Sequence, residues 1–146
     1  MSVANFRIKK ITGEKKELDS KEMTKVDVSS NFIVVSAAKR KDKDLGDYLY
    51  VNFRFDVNYK PDMGKVSLEG SLWYLNKNLD KVMTEKEGKI VMNPEAGQDI
   101  STAILRDSLL EAVDITRKLR LPAPLSLPKV DVKGRDVTFP KATKAS

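Results

Sequence analysis

The stretch Leu49–Leu75, LYVNFRFDVNYKPDMGKVSLEGSLWYL, decides the fold because apolar and polar residues alternate on both sides of a turn. From position 49 to 59 every odd residue is apolar, which is typical of a strand that buries one face. Pro61 fixes φ and Gly64 permits positive φ, so PDMG is suited to a turn. A second apolar set then occupies even positions between 66 and 74. A hairpin closed at this turn pairs odd with even residues, so both sets share one face.

The opposite face of this hairpin is polar except at one end, where aromatic residues gather. The register expected from the turn sets Tyr50 opposite Leu75 and Trp73 opposite Asn52, with Tyr48 just beyond. Apolar clusters on solvent-facing surfaces are typical of interfaces or grooves. We therefore expect Tyr48, Tyr50, Trp73 and Leu75 to contact a client polypeptide or a second copy of the chain. The alternative is that the N-terminal segment or a later proline-rich stretch of the same chain covers them.

Two further strands are predicted upstream of the hairpin. Asn5–Ile11 places Phe6 and Ile8 on one side, and Lys25–Arg40 alternates at its start. The continuous apolar run at 32–35 indicates either that both faces are covered there or that a bulge switches them. The charged segment Lys39–Asp47 predicts a turn.

Helices are predicted downstream. Leu79, Val82 and Met83 have helical spacing and predict a short helix within Asn76–Lys89, which ends near a glycine. Asn93-Pro94 is expected to interrupt regular secondary structure. The main helix is predicted over Gln98–Arg120, with Asp99 or Ser101 as its N-cap. Its apolar stripe has small residues along the centre, which permit close packing. The stripe comprises Ile104, Leu105, Ser108, Leu109, Ala112, Ile115 and Leu119.

The stretch Leu119–Val132, LRLPAPLSLPKVDV, predicts an extended strap that packs against the domain. Pro122 biases the preceding residue away from helix, and the later prolines carry no ladder donor. The strap carries three apolar side chains that are expected to be shielded from water: Leu121, Leu125 and Leu127. We expect them to be core residues, or else to border a groove. A short strand at 130–132 completes a single domain, 1–132. Residues 133–146 are predicted to form a basic, mobile tail, in which Val137 and Phe139 can dock.

Composition restricts the function. The chain has 146 residues, no cysteine and no histidine, so disulfides, thiolate or histidine catalysis and His-ligated zinc are excluded. The acidic stretch beginning at Asp42 lacks the glycine and glutamate of a calcium loop in the required places. No metal site, cofactor or catalytic residue is therefore predicted. No apolar run is long enough for a signal peptide core or a membrane span, so a cytoplasmic location and no membrane insertion are expected.

The formal net charge of +6 is concentrated in the first 46 and the last 25 residues. Nucleic-acid binding usually requires Lys and Arg gathered on one face, so basic ends alone favour it only weakly. The aromatic cluster near Arg54 resembles the stacking surfaces of some RNA-binding modules, although its flanking charges look mixed in sequence. Nucleic acid is therefore retained as a weaker candidate partner.

The order of elements resembles the SecB-like fold of the bacterial protein-export chaperone and its archaeal and antitoxin-associated relatives. The similarity covers roughly Asn5 to Val132. It lies mainly in the start NFRIKKI, in the long hairpin and in the join RKLRLPAPLSLPKVDV. The resemblance implies an α+β fold in which a four-stranded antiparallel sheet carries a short and a long helix on one face. It also implies dimers or tetramers whose apolar grooves hold unfolded polypeptide.

One departure from that family concerns charge. The export chaperones are strongly acidic and use acidic surface to meet the translocation motor, whereas this chain is basic. We therefore expect a non-catalytic, self-associating protein that binds extended apolar segments of unfolded or preprotein clients, with the motor left open as a partner. The alternatives are a nucleic-acid-binding or regulatory protein that uses the basic ends and the Tyr/Trp cluster, and a structural subunit.

Overall fold

The structure is a computed structural model that describes residues 2–16, 27–60, 63–124 and 136–142. Its main layer is a four-stranded antiparallel sheet with strand order β1-β4-β3-β2. The strands are β1 (Ser2–Lys15), β2 (Asp27–Asp42), β3 (Gly46–Lys60) and β4 (Gly64–Leu75). The predicted α+β class and the four-stranded antiparallel sheet are confirmed.

The central hairpin β3–β4 has the predicted face pattern but a shifted register. Tyr50 pairs with Trp73 and Tyr48 with Leu75, so the predicted pairs Tyr50–Leu75 and Trp73–Asn52 are wrong by two residues. The shift is an even number, so each side chain keeps its face. The odd residues of β3 and the even residues of β4 are buried together, as the alternation predicts.

Both edge strands contain irregularities that redirect their side chains. In β2 the register shifts between Val34 and Ser36, which agrees with the second of the two alternatives for the apolar run, a bulge that switches the faces. In β1 the register shifts on both sides of Arg7–Ile8, and Asn5 has a φ of 52°. Asparagine tolerates this left-handed conformation better than most residues, which suits a bulge.

A second, small sheet was not predicted from the sequence. Within the stretch predicted as a short helix, only Leu79–Val82 is helical (α1). The chain then continues as a hairpin of β5 (Met83–Lys86) and β6 (Lys89–Met92). Most of the predicted helix Asn76–Lys89 is therefore wrong. The turn residues Glu87 and Gly88 both have positive φ, as a tight two-residue hairpin requires. Strand β7 (Val137–Pro140), within the predicted tail, pairs with β6 and buries Phe139.

The long helix α2 spans Pro94–Lys118 and begins earlier than predicted. Asn93 is its N-cap, since its side-chain oxygen accepts a hydrogen bond from the Ala96 amide, and Pro94 occupies the first turn. Asp99 and Ser101 are therefore interior residues and not caps. At the other end Arg120 has a φ of 55°, and the Leu121 amide bonds to the Thr116 carbonyl. This is a Schellman-type stop, with arginine where glycine is usual.

The core lies between the large sheet and the layer formed by α2 and the small sheet. Ser108 and Ala112, at the centre of the predicted stripe, are completely buried. One cluster joins Phe53 and Tyr74 to Ile90, Met92 and Phe139, and the other joins β3 and β4 to the C-terminal half of α2. In the described residues, the helices and the small sheet pack on one face of the large sheet, which we call the inner face. The opposite face is the outer face, and none of its side chains belongs to either cluster.

Candidate functional site

The aromatic cluster predicted from the sequence forms at one end of the outer face. The rings of Tyr48 and Trp73 stack, with centroids 4.2 Å apart and planes 21° from parallel. Tyr48 is buried, with 7% of its surface exposed, whereas Tyr50, Trp73 and Leu75 are half-buried. The structure therefore brings the four predicted residues together, in a packed arrangement and not as four open side chains.

Cations from both edge strands surround Tyr50. The Lys9 ammonium donates hydrogen bonds to the Tyr50 hydroxyl at 2.5 Å and to Asn52 Oδ1 at 3.0 Å. The Arg40 guanidinium lies over the ring, with Cζ 4.2 Å from its centroid, and Lys9 Nζ lies 5.0 Å from it. Burial opposes ionisation, but hydrogen bonds from Lys9 and Ser71 and the charges of Lys9 and Arg40 together lower the pKa of Tyr50.

The other half of the outer face is a polar network. Arg54 Nε lies 3.1 Å from Asp56 Oδ1, which also accepts a 2.5 Å hydrogen bond from the Ser67 hydroxyl. Glu69 lies opposite Arg54 on the neighbouring strand. A shallow depression of about 280 Å³ is lined by Lys10, Thr12, Glu14, Arg54, Lys65, Ser67 and Glu69. Opposite charges therefore alternate in this half, so it carries no large field of one sign.

A second candidate surface lies along β2, outside the cluster predicted from the sequence. On the inner face Val28, Phe32 and Val34 are only half-buried, because α2 packs mainly across β1, β4 and β3. Next to them, Ile33 is 53% exposed and Val35 49% exposed. We call these five residues the β2 margin. The run Phe32–Val35 signals this surface in the sequence, but the open flank of β2 follows only from the strand order.

The start of the strap is fixed to the domain. Leu121 is buried among Met63, Val66 and the other residues of the second core cluster, which agrees with its prediction as a core residue. The Tyr59 hydroxyl donates a hydrogen bond to the Pro122 carbonyl oxygen at 2.5 Å. The other two predicted strap leucines, Leu125 and Leu127, lie outside the described residues, as does the predicted strand at 130–132.

Two features are absent from the part of the chain that the structure describes. Within the described ranges, no group of three or more acidic side chains is placed to hold a metal ion. In the same ranges, every helix is too short or too polar to cross a lipid bilayer.

Comparison with known proteins identifies the fold. The structure is similar to that of a SecB-like chaperone of Mycobacterium tuberculosis, solved in complex with a ChAD peptide from the HigA1 antitoxin. The match covers 89% of each chain with a TM-score of 0.52, at 14% sequence identity. Neither a family profile nor a curated protein sequence matches the chain. The chain thus has a SecB-like α+β fold, as the resemblance in the sequence implied.

Proposed function

We propose that this protein is a non-catalytic, chaperone-like protein that holds extended apolar segments of unfolded polypeptide. The observation that carries the proposal is the β2 margin, where apolar side chains stay accessible along an edge strand. The SecB-like fold supports the same class, since the similar mycobacterial protein is a chaperone with a bound peptide.

The β2 margin suits an extended chain for two physical reasons. An edge strand presents backbone N–H and C=O groups to which an added strand can bond, whatever its sequence. Among the described residues, β7 lies near β2, and Lys141 and Ala142 form a backbone bridge to its edge at Ala37, beyond residues 28–35. The apolar side chains on both sides of residues 28–35 then favour apolar clients, because burying them removes apolar surface from water.

The surfaces predicted from the sequence are weaker candidates for client binding than the β2 margin. The cluster of Tyr48, Tyr50, Trp73 and Leu75 remains a candidate client or oligomer interface, but less of its surface is accessible. Leu121 supports the fold, since it is buried. Leu125 and Leu127 are still candidates for the border of a groove. We also propose that the protein assembles as a dimer or tetramer and works in the cytoplasm.

The proposal is tested by the suppression of aggregation of a chemically unfolded model substrate, followed by light scattering. Ile33→Thr and Val35→Thr keep a β-branched shape but add a hydroxyl, and at exposed positions they should change stability by less than about 0.5 kcal/mol. We expect the double variant to lose most of the suppression that the unaltered protein provides.

The matched control is Leu110→Gln, because Leu110 is 68% exposed but lies on α2, away from the β2 margin. It should suppress aggregation as well as the unaltered protein does. If both variants lose activity equally, general surface hydrophobicity is responsible and the β2 margin is not the site. If the double variant keeps full activity while Tyr50→Ala or Trp73→Ala loses it, the aromatic cluster holds the client instead.

A further inference from the structure

The aromatic end of the outer face gathers positive charge that the sequence does not reveal. The exposed side chains of Arg7 and Lys9 come from β1, and Arg40 comes from β2, on the opposite edge of the sheet. Lys9 and Arg40 both contact the ring of Tyr50. We call Arg7, Lys9, Arg40, Tyr50 and Trp73 the cationic aromatic patch.

Among the described residues, acidic side chains are absent from the outer face around the two rings, and Glu69 borders the patch at one end, where it lines a depression with Lys9 and Asn52. Three neighbouring pairs of β3 and β4 define its extent: Tyr48–Leu75, Tyr50–Trp73 and Asn52–Ser71. In these three rows, the described residues of all four strands whose side chains lie on the outer face include no Asp or Glu. The carboxylates of that face begin at Glu69 and Asp56, in the half where Arg54 lies. Asp42, at the hairpin tip, accepts hydrogen bonds from the backbone amides of Asp44 and Leu45.

The two central strands place their aromatic residues side by side. Tyr50 and Trp73 are direct cross-strand partners, and the next residues outward are Ala38 on β2 and Ala4 on β1. Both flanking side chains are single methyl groups, so the two rings are the large side chains of this row, with Arg40 over the ring of Tyr50. Asn52 and Ser36 follow in the next row and offer amide and hydroxyl groups.

We propose that the cationic aromatic patch binds single-stranded nucleic acid, with a base stacked on Trp73 and phosphates near Arg7 and Lys9. Every base has a π-face, so an aromatic surface on a sheet can accept bases of any sequence, and the flanking cations attract the backbone. An acidic polypeptide would pair with Arg7 and Lys9 but gives no reason for the pair of rings. This binding centres on the two rings of the outer face, whereas polypeptide holding centres on the β2 margin; the two surfaces are neighbours, since Val35 and Lys9 line one depression.

Trp73 is the only tryptophan, so its fluorescence reports directly on this patch. The full chain is titrated with a twelve-nucleotide oligouridylate at low salt, and binding is measured in parallel by the anisotropy of a labelled copy. We expect saturable quenching of Trp73 with the same midpoint as the anisotropy change. The affinity should fall as salt rises, with a slope of about −0.7 in log–log form for each phosphate contacted.

Substitutions separate the patch from the general basic charge of the chain. Trp73→Ala should weaken binding by about 10-fold, within the range found for stacked bases, whereas Trp73→Phe should retain most of the affinity. Lys9→Gln should weaken binding and reduce the salt slope by about 0.7. The matched control is Lys65→Gln, which removes the same charge from the other half of the same face and should change the affinity less than 2-fold. Thermal unfolding of each variant checks its stability.

Several outcomes would overturn the proposal. Binding without quenching of Trp73, or equal losses in Lys9→Gln and Lys65→Gln, would mean that nucleic acid contacts the chain elsewhere. Tighter quenching by polyglutamate than by the oligonucleotide would identify an acidic polypeptide as the occupant. Trp73 emission that changes with protein concentration alone, together with a dimer that Trp73→Ala dissociates, would identify the patch as an interface between copies.

Discussion

The hydroxyl of Tyr59 donates a hydrogen bond to the backbone carbonyl oxygen of Pro122, which links the end of β3 to the chain as it leaves α2. Tyr59 is almost fully buried, and burial raises the pKa of its phenol. The residues between these partners include the whole of β4, the small hairpin and the long helix. A single hydroxyl thus connects the two ends of a segment that supplies much of the core.

Tyr59→Phe removes only this hydroxyl, so its cost measures the bond to Pro122 together with the contact that the hydroxyl makes with Thr116. We expect the free energy of unfolding to fall by about 1 kcal/mol, the usual net value of a buried hydrogen bond. Tyr74→Phe is the control, because its hydroxyl accepts only a long contact of 3.4 Å from Asn76. Chemical denaturation of both variants provides the measurement. Equal losses would show that the Pro122 contact contributes nothing specific.

Ser108→Ala is expected to stabilise the protein. The Ser108 hydroxyl is completely buried against the sheet and has no hydrogen-bond partner in the described structure. Its removal relieves a desolvated polar group and improves helix propensity, so the free energy of unfolding should rise by about 1 kcal/mol. Thr116→Ala, on the same helix, should do the opposite, because its hydroxyl donates to the Val113 carbonyl. A loss of stability in Ser108→Ala would indicate that the hydroxyl has a partner after all.

Gly97→Ala tests how β7 is attached. A Cβ at position 97 would lie 2.5 Å from Val137 Cβ, so the added methyl group forces β7 away from α2. Alanine normally stabilises a helix by about 1 kcal/mol relative to glycine, but overpacking typically costs about 1–3 kcal/mol, so we expect a net loss. Hydrogen exchange should accelerate at the β6–β7 amides. Val137→Ala would keep the Cβ that causes the close approach, so relief requires Val137→Gly. In a Val137→Gly background, Gly97→Ala should no longer lower the free energy of unfolding, and a loss that persists there would place the strain elsewhere.

Asp99 makes stability depend on pH. Burial, and then the charge of Glu95, raise the pKa of the Asp99 carboxyl, and its Oδ2 atom has no hydrogen-bond partner among the described residues. The folded state therefore binds this proton more tightly than the unfolded chain does. It follows that the charged carboxylate destabilises the fold above the raised pKa, and the penalty disappears as pH falls below the ordinary value of 3.8.

Asp99→Asn should therefore raise the free energy of unfolding at pH 7, by about 0.5 kcal/mol because the site is only half-buried. The difference from the unaltered protein should shrink as the pH approaches 4. Thermal unfolding across this range is the measurement, with the exposed Glu111→Gln as control. A difference that stays constant with pH would exclude the charge of Asp99 as its cause.

The large sheet was predictable because its information is local. Strict alternation around Pro61–Gly64 determines which residues of β3 and β4 share a face, and a shift of two residues leaves that result unchanged. The small sheet was not predictable in the same way. Met83 continues the helical spacing of Leu79 and Val82, and the neighbouring Lys and Glu residues are good helix formers. The partner that stabilises β6 is β7, which lies more than 40 residues further along the chain.

The aromatic members of the candidate site were identified from the sequence, but its cations were not. Tyr48, Tyr50, Trp73 and Leu75 follow from the alternation in one hairpin. Lys9 and Arg40 reach Tyr50 only because β1 joins β4 and β2 joins β3 on opposite edges. The position of Lys9 also depends on the irregular register of β1. Long-range pairing of this kind leaves no periodic signal, so the cations that surround Tyr50 are brought together only in three dimensions.

The strand order β1-β4-β3-β2 also affects how the chain folds during its synthesis. β1 leaves the ribosome before the other strands of this sheet, yet its partner β4 is completed only at Leu75. Until then β2 and β3 can form their hairpin, while Val3, Phe6 and Ile8 have no strand beside them. Closing β1 onto β4 spans a long loop and is entropically slow. The nascent chain therefore passes through a stage in which it carries an unpaired apolar strand of its own, and we expect co-translational folding to depend on how quickly β4 arrives.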